Sequence, residues 1–226
     1  MARRLIRGVL LVALVLVAIP LVLVPVYSSS AVRPISTLML ADHFTFQPYD
    51  RQWVPLDQIA PVMMHSVVMS EDGQFCAHGG VDWTELRAVV DRALEEGAAG
   101  RGASTIAMQT VKNVFLWGGR SYVRKGLELP LALYADALWS KRRTMEIYLN
   151  VAEWGEGIYG VESASRFYFN RSAADLTARQ AALLAAALPA PLQRDPANPS
   201  AGLSRIAERI QGRARAAGAY VQCLSS

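Results

Sequence analysis

The sequence predicts a mainly α-helical protein with one transmembrane helix at its N-terminus. An apolar run over residues 5–26 carries no charge after Arg7. Further along, apolar residues recur at helical spacing, and no segment alternates in the way that a half-buried strand would. About 200 residues follow the apolar run, which is the length of a single domain with a sizeable core.

Residues 5–26 are long enough to cross a membrane, because about 20 apolar residues span the hydrocarbon core as a helix. A cleaved signal peptide is the alternative, with a weak cleavage site at 29–31, but its apolar part is usually about 7–15 residues. Arg3, Arg4 and Arg7 lie near the start of the chain without an acid among them. The positive-inside rule therefore predicts a cytoplasmic tail at residues 1–4 and export of everything after the span.

Beyond the membrane, residues 27–54 mix polar, aromatic and proline residues without clear periodicity, which predicts an irregular juxtamembrane connector. Residues 55–226 are predicted to form the exported domain, whose first helix opens at Pro55 and ends at Gly73. A mobile glycine- and alanine-rich loop is predicted over 95–103. The other predicted helices are 81–94, 104–113, 121–150 with a kink at Pro130, 173–188, and an amphipathic one through Leu203, Ile206 and Ile210.

The distribution of charge says more than its sum. Removing the three N-terminal arginines from the net charge of +4 leaves +1 for the exported part, which gives little support for a nucleic-acid partner. Residues 101–143 alone carry +6, with eight basic residues and only Glu128 and Asp136 as acids. Such a local basic field suits an anionic substrate, and a solvated basic face is the alternative.

Cys76 and Cys223 lie in a part of the chain that is expected to reach an oxidising compartment, where cysteines can pair. The sequence alone does not place them within bonding distance. Three scattered histidines and no metal-type cysteine spacing make a zinc site improbable.

The first stretch with candidate catalytic residues runs from Ser70 to Trp83. Glu71 and Asp72 are predicted at a helix C-terminus, where the helix dipole disfavours a negative charge and raises the pKa of a carboxyl. A raised pKa suits a general base or acid, whereas an exposed acid on a turn is the alternative. His78 either orients a carboxylate or stabilises the turn, and Phe75 and Trp83 are predicted in the core.

A second and a third group of polar residues follow. In a helix after Gly102, Thr105, Gln109, Lys112 and Asn113 would share a face that suits phosphate or sugar, without the spacing of a nucleotide P-loop. Arg124, Lys125 and Glu128 then form either a helix salt bridge or a carboxylate set among cations. A fourth group, residues 141–162, includes several glycines that suggest a tight, irregular loop between helices.

Taken together and in this order, the motifs resemble those of the monofunctional biosynthetic peptidoglycan transglycosylases, glycosyltransferase family 51. The resemblance covers roughly residues 55–190. The matching motifs are Glu71-Asp72-x-x-Phe75-x-x-His78-x-Gly80, Gly102-x-Ser104-Thr105-x-x-x-Gln109-x-x-Lys112-Asn113, Arg124-Lys125-x-x-Glu128, Glu146-x-Tyr148-Leu149-Asn150, Gly160-Val161-Glu162 and Tyr168-Phe169. Departures are small: Thr144 replaces a branched aliphatic residue, and Ala107-Met108-Gln109 keeps the second of two glutamines.

The resemblance implies a lysozyme-like domain that polymerises lipid II into β-1,4 glycan strands with inversion and releases polyprenyl pyrophosphate. It implies Glu71 as the general base and Glu128 as a second catalytic carboxylate near the pyrophosphate, supporting neighbouring cations or a divalent ion, Mg²⁺ or Mn²⁺. The implied binding residues are Lys112, Arg124 and Lys125 for pyrophosphate, and Ser104, Thr105, Gln109 and Asn113 for sugar and phosphate. Supporting roles fall to Asp72, Phe75 and His78.

The resemblance also implies a setting, a single-pass protein of the bacterial inner membrane with a periplasmic catalytic domain. Its expected partners are lipid II, the growing glycan strand and cell-wall synthesis proteins. No lysine follows a serine by three positions, so we expect no penicillin-binding transpeptidase. Two alternatives remain: a lysozyme-like enzyme that cuts glycan, and a non-catalytic, membrane-tethered glycan-binding module. Residues 84–100 are a candidate for contact with the bilayer.

Overall fold

The computed structural model describes residues 1–96, 102–119 and 121–225, and within them the chain is mostly helical, as predicted. The helices are α1 (Ala2–Tyr27), α2 (Thr37–Phe44), α3 (Pro61–Glu71), α4 (Trp83–Glu96), α5 (Ile106–Phe115), α6 (Tyr122–Leu138), α7 (Lys141–Val151), α8 (Val161–Phe169), α9 (Ala178–Ala187) and α10 (Ala201–Arg215). The strands are β1 (Asp50–Arg51), β2 (Glu153–Gly155) and β3 (Ile158–Tyr159).

Helix α1 contains the candidate membrane span, Ile6–Tyr27, which has a mean hydropathy of 3.2 and is largely exposed. Its C-terminal end is docked on the rest of the molecule. Because Pro25 has no N–H, the carbonyl of Leu21 has no donor within the helix, and the hydroxyl of Tyr134 donates to it at 3.0 Å. The indole of Trp139 donates to the carbonyl of Val24 at 2.7 Å. The span is thus joined to α6 and to the α6–α7 connection.

The segment 27–54 is more ordered than the sequence predicted, because it contains α2 and β1. The Ser36 hydroxyl caps α2 by accepting a hydrogen bond from the Met39 amide at 3.1 Å, and Met39 is fully buried. Strand β1 pairs in parallel with β3. Elements of eight and two residues are too short to show a period in the sequence, which is why this prediction was wrong.

Two predicted helix boundaries were also wrong. The first helix of the domain begins at Pro61 instead of Pro55, and a 3₁₀ turn over Leu56–Gln58 precedes it. The predicted helix 121–150 continues through Pro130 and breaks at Trp139–Ser140. There the Ser140 hydroxyl accepts a hydrogen bond from the Arg143 amide at 3.1 Å, which starts α7 as a separate helix.

A small sheet with the strand order β1-β3-β2 replaces the irregular loop predicted from the glycines of residues 141–162. Strands β2 and β3 form an antiparallel hairpin. Gly157 in its turn has φ +68°, and a Cβ there would come within 2.8 Å of the Pro48 carbonyl oxygen. Strands of two or three residues carry no alternation, so the sequence pattern missed them.

The remaining elements follow the prediction more closely. Asp82 caps α4 by accepting hydrogen bonds from the amides of Thr84 and Glu85, both at 3.0 Å. Trp83, predicted in the core, is instead 49% exposed on α4. Helix α10 matches the predicted amphipathic helix, whereas α9 begins at Ala178 instead of residue 173, after a 3₁₀ turn over Ala173–Asp175. Residues 97–101 of the predicted mobile loop 95–103 lie outside the described residues.

Two buried clusters meet at α5 and α7. A C-terminal core packs α3, α8, α9 and α10, and an N-terminal core packs the end of α1 with α2, α5 and α6. Helix α7 contributes Met145 and Tyr148 to the first cluster, and Ile147 and Val151 to the second. The seam between the cores brings the C-terminus of α3 close to the start of α5, where the predicted site residues lie.

Candidate active site

Glu71 is the last residue of α3, and it is held by neutral hydrogen-bond donors. The Ser70 hydroxyl donates to its Oε1 at 3.1 Å, and the Gln109 side-chain amide donates to its Oε2 at 3.1 Å. Burial raises the pKa of Glu71, and the hydrogen bonds from Gln109 and Ser70 oppose that rise. The predicted increase in pKa is therefore confirmed, with burial as its main cause instead of the helix dipole.

Gln109 is oriented in turn by Tyr148. The Tyr148 hydroxyl donates to Gln109 Oε1 at 3.2 Å, which leaves the amide nitrogen of Gln109 facing Glu71. Tyr148 is buried, and burial raises its pKa well above the usual value, so that the phenol keeps its proton. The chain Tyr148–Gln109–Glu71 fixes the carboxylate in one position at the edge of a cleft.

Asp72, the next residue, turns away from the open side and joins two elements. One oxygen accepts a hydrogen bond from the Ile106 amide at the start of α5, at 2.9 Å, and the other lies 2.9 Å from His78 Nε2. Asp72 is only 8% exposed. This geometry gives Asp72 and His78 the orienting role that was one of the sequence interpretations, and they hold Glu71 next to α5.

Thr105 differs from the sequence prediction, which placed it on a polar face with Gln109, Lys112 and Asn113. It is the N-cap of α5: its hydroxyl accepts from the Met108 amide at 3.1 Å and donates to the Gly80 carbonyl at 2.6 Å. Because both functions of the hydroxyl are used and the residue is 3% exposed, Thr105 builds the site and offers little to a ligand.

A cluster of cations surrounds the second carboxylate, Glu128, which is 2% exposed. Arg124 Nη1 pairs with Glu128 Oε1, and Lys125 Nζ lies 2.8 Å from Oε2 and 2.5 Å from the Ser104 hydroxyl. Lys112 lies within the field of this cluster: burial lowers its pKa most, Glu128 raises it, and Arg124 and Lys125 lower it. The salt bridge and the carboxylate-among-cations interpretations are therefore both confirmed.

Two clefts open beside these groups. We call the first the cation cleft; its volume is about 290 Å³, and Gln109, Lys112, Asn113 and Arg124 are part of its lining. The second, the carboxylate cleft, has a volume of about 510 Å³ and is lined by Glu71, Asp72, Ser104 and Thr105, among others. Gln109 lines the first and bonds to Glu71 of the second, so the base and the cations face adjoining spaces.

Most of the predicted site residues are therefore brought together, and Phe75 is the one that stands apart. Its ring is fully buried in the C-terminal core, as predicted, and the ammonium of Lys141 lies 4.9 Å from the ring centroid. Lys141 also bonds the His78 carbonyl at 2.6 Å, so these residues stabilise the turn after Glu71.

Several residues of the site were missed by sequence reasoning. Tyr148 lay in a quoted motif but received no role, and Ser70 is a direct neighbour of Glu71 that carried no pattern of its own. Arg213 and Tyr220 reach the carboxylate cleft from the C-terminal end of the chain. No local signal could have identified these two, because only the packing of α10 and the following 3₁₀ turn against α3 brings them there.

The site does not offer Glu128 as a free metal ligand. Both of its oxygens are already paired with side-chain cations, and the described residues contain no group of three or more His, Cys, Asp or Glu side chains suited to a metal ion. A divalent cation prefers several free oxygen ligands. The donor set at Glu128 therefore does not fit the Mg²⁺ or Mn²⁺ ion that the resemblance offers as one of two alternatives.

Chemically, this arrangement suits a displacement at carbon with an anionic leaving group. A carboxylate with a raised pKa can take the proton of an attacking hydroxyl, and neighbouring cations can stabilise the charge that develops on the departing group. The basic field predicted for residues 101–143 is focused in the cluster of Lys112, Arg124 and Lys125, whereas Arg101 and Arg120 lie outside the described residues.

Comparisons with known proteins cover this site and nearly all of the chain. A family model described as Transglycosylase matches residues 39–215. Biosynthetic peptidoglycan transglycosylases from three bacteria are similar to the chain. That of Agrobacterium fabrum is 58% identical over 222 residues, 98% of each chain. That of Brucella suis biovar 1 is 60% identical over 213 residues, 94% of this chain and 95% of the relative. That of Rhizobium meliloti is 57% identical over 218 residues, 96% of this chain and 92% of the relative.

Proposed function

Because the chain belongs to the transglycosylase family and polymerises the glycan of peptidoglycan, we propose that Glu71 is the general base of glycosyl transfer. Its carboxylate takes the proton from the 4-hydroxyl of the acceptor lipid II, which lies in the carboxylate cleft. The hydroxyl oxygen attacks the anomeric carbon of the donor strand, and the new carbon–oxygen bond forms as the bond to pyrophosphate breaks. Attack from the opposite side inverts the configuration of that carbon.

The leaving pyrophosphate takes the electron pair of the broken bond, and the cation cleft receives it. Lys112 and Arg124 line that cleft, and Lys125 lies next to them through the shared partner Glu128. A pyrophosphate needs countercharge more than a proton, because its negative charge is already spread over many oxygens. In this proposal Glu128 positions the cations, and no step passes through a divalent ion.

One observation carries the proposal: the two carboxylates of the site have opposite surroundings. The described hydrogen bonds to Glu71 come from the neutral side chains of Ser70 and Gln109, whereas each oxygen of Glu128 meets a cation. Burial raises the pKa of Glu71, which suits a proton acceptor, whereas both oxygens of Glu128 are engaged by Arg124 and Lys125. The roles of base and of anchor for cations follow from this difference.

The candidate span in α1 supports a membrane-anchored enzyme, and its orientation completes the proposal. We place the N-terminus in the cytoplasm, because Arg3, Arg4 and Arg7 lie at the N-terminal end of the span, and the catalytic domain on the periplasmic side of the inner membrane. Lipid II is itself a membrane lipid, so an enzyme tethered beside it meets its substrate in two dimensions. Cell-wall synthesis proteins of the same membrane are the expected partners.

The test is polymerisation of purified lipid II by the full-length protein in detergent or vesicles. Wild type should give glycan polymer with release of polyprenyl pyrophosphate, and Glu71→Gln should reduce the rate at least 100-fold while it still binds lipid II. Glu208→Gln, an exposed glutamate on α10, is the matched control and should behave as wild type. A wild type that makes no polymer but cleaves finished sacculi would overturn the proposal in favour of a lytic enzyme, and an active Glu71→Gln would remove Glu71 from its role.

A further inference from the structure

A third space, which we call the strand groove, lies beside the cation cleft and has no role in the mechanism above. It is formed by the β2–β3 hairpin, the end of α8 and the loop after α9, and its volume is about 590 Å³. That volume is within the range of roughly 300–1,000 Å³ typical of ligand sites. Glu153 and Pro191 line both the strand groove and the cation cleft, so the two spaces adjoin.

We propose that the strand groove binds the growing glycan strand at sugar units beyond the one that reacts. The proposal rests on the proposed function, because that function fixes the direction of the donor. The pyrophosphate end lies at Lys112 and Arg124, and the reacting sugar lies near Gln109, which bonds to Glu71. The part of the strand that leads away from these groups passes Glu153 and Pro191 and enters the groove.

The groove carries an aromatic side chain that suits a sugar ring. Phe167 is 68% exposed, and its ring packs edge-to-face on Tyr168, with centroids 4.9 Å apart. The Tyr168 hydroxyl donates to the Trp154 carbonyl at 2.9 Å, which fixes that support. Leu192, from the loop after α9, adds a second apolar side chain that is 67% exposed. Apolar faces of this kind, together with a few polar groups, are how small-molecule sites contact a ring.

The charges of the groove argue for a neutral occupant. Glu153, Glu156 and Asp195 line it together with one cation, Arg194, whose guanidinium is held by the Ala186 carbonyl at 2.5 Å. This balance is opposite to that of the cation cleft and disfavours a second pyrophosphate or a phospholipid headgroup. Hydroxyl and acetamido groups of N-acetylated sugars can donate to carboxylates and accept from a guanidinium, so they fit this lining.

The test compares strand lengths made from lipid II by full-length variants. Phe167→Ala should shorten the strands about three- to tenfold. The lost ring contact should speed release of the strand by a similar factor, and mean strand length follows the ratio of the elongation rate to the release rate. Initial consumption of lipid II should change by less than twofold, since the base and the cations are untouched. Phe167→Trp should restore the length, whereas Phe167→Leu should not. Phe44→Ala removes another exposed aromatic side chain, outside all three spaces, and should leave the length unchanged.

A second readout measures binding directly, with uncharged β-1,4-linked N-acetylglucosamine oligosaccharides as the probe. Wild type should bind them, and Phe167→Ala should bind about three- to tenfold more weakly. Wild-type strand length in Phe167→Ala, or equal shortening in Phe44→Ala, would overturn the proposal that the strand groove binds the growing strand. Neither outcome would contradict polymerisation by the wild-type protein. Absence of polymer with wild type would instead overturn the proposed function, so that the two failures are distinguishable.

Discussion

At the scale of single residues, the central feature is that the role proposed for Glu71 comes at the expense of the fold. Its carboxylate is partly buried at the C-terminal end of α3, and burial disfavours its negative charge. Gln109 and Ser70 compensate only in part with their hydrogen bonds. The raised pKa suits the proposed base, and it also means that the ionised carboxylate is less stable in the folded protein.

This trade-off predicts that Glu71→Gln is more stable than wild type at neutral pH. The folded pKa of Glu71 lies above its usual value of 4.5, so the folded state binds more protons than the unfolded state in that window. The free energy of unfolding of wild type therefore falls as the pH rises from 4.5 through the raised pKa. The neutral glutamine avoids this loss. Thermal unfolding of both proteins should give a higher Tm for Glu71→Gln at pH 8 and equal values near pH 4.

The control is Glu208→Gln, whose side chain is exposed and should show the same Tm as wild type at both pH values. A Tm for Glu71→Gln that equals or falls below that of wild type at pH 8 would contradict the assigned environment. The rate of polymerisation should follow the same group, falling as the pH drops through the raised pKa, because a protonated Glu71 cannot accept the proton of the acceptor.

The sequence alone points to Glu71 and Glu128 as candidate carboxylates, but it shows their surroundings only in part. Glu71 and Glu128 lie in motifs that a reader can recognise, and the pairing of Arg124 with Glu128 follows from helical spacing. The contacts of Gln109 with Glu71 and Tyr148 join residues 38 and 39 positions apart. Such contacts depend on how α3, α5 and α7 pack, and no local period encodes that packing.

At the scale of elements, the site depends on one junction between the end of α3 and the beginning of α5. Asp72 accepts the Ile106 amide, and Thr105 joins the same helix start to the Gly80 carbonyl. Gly80 has φ +80°, and a Cβ there would lie 2.6 Å from the Ala132 carbonyl oxygen of α6. Three helices therefore converge on a few buried contacts, and Gln109 on α5 reaches Glu71 because of them.

We predict that Asp72→Ala disturbs this junction and reduces both stability and rate. The substitution leaves the Ile106 amide and the His78 ring without their buried acceptor, which should cost about 2–4 kcal/mol of unfolding free energy. Denaturant unfolding measures that loss, and the rate of polymerisation at saturating lipid II should fall about tenfold or more as Glu71 loses its place. Asp57→Ala, an exposed aspartate in the 3₁₀ turn, is the control. Full activity of folded Asp72→Ala would contradict the positioning role.

Helix ends show why the sequence predicts elements better than their limits. The cap of α4, Asp82, lies where the sequence predicts a helix to begin, whereas α9 begins after the capping box of Thr177 and Gln180 instead of at the predicted residue 173. The break at Ser140 was missed because Pro130 carries the stronger signal for a kink, although α6 continues through it. Strand β1 forms only by pairing with β3, and β3 lies more than 100 residues further along the chain, so no local pattern predicts β1.

At the scale of the whole molecule, the chain is held together near its two ends. The end of α1 is fixed to Tyr134 and Trp139, so the candidate membrane span joins the domain at a defined position. The C-terminal 3₁₀ turn over Gly218–Leu224 is fixed by the Cys76–Cys223 disulfide, with Cα atoms 5.6 Å apart. The sequence raised this pairing as a possibility, and only the fold brings the two residues within bonding distance.

The disulfide matters for function because it joins the turn after Glu71 to the segment that carries Tyr220, which lines the carboxylate cleft. It closes a loop of 147 residues, and loss of a cross-link over so long a loop should cost about 2–5 kcal/mol. For a domain of this size we expect Tm to fall by roughly 5–15 °C in Cys76→Ala/Cys223→Ala. The KM for lipid II should rise while kcat changes less, because the cleft wall loosens and the base stays in place. Reductant should lower the Tm of wild type toward that of the double variant and leave the Tm of the variant unchanged. A double variant with the Tm and KM of wild type would contradict this prediction and show that the packing of α10 alone holds the cleft wall.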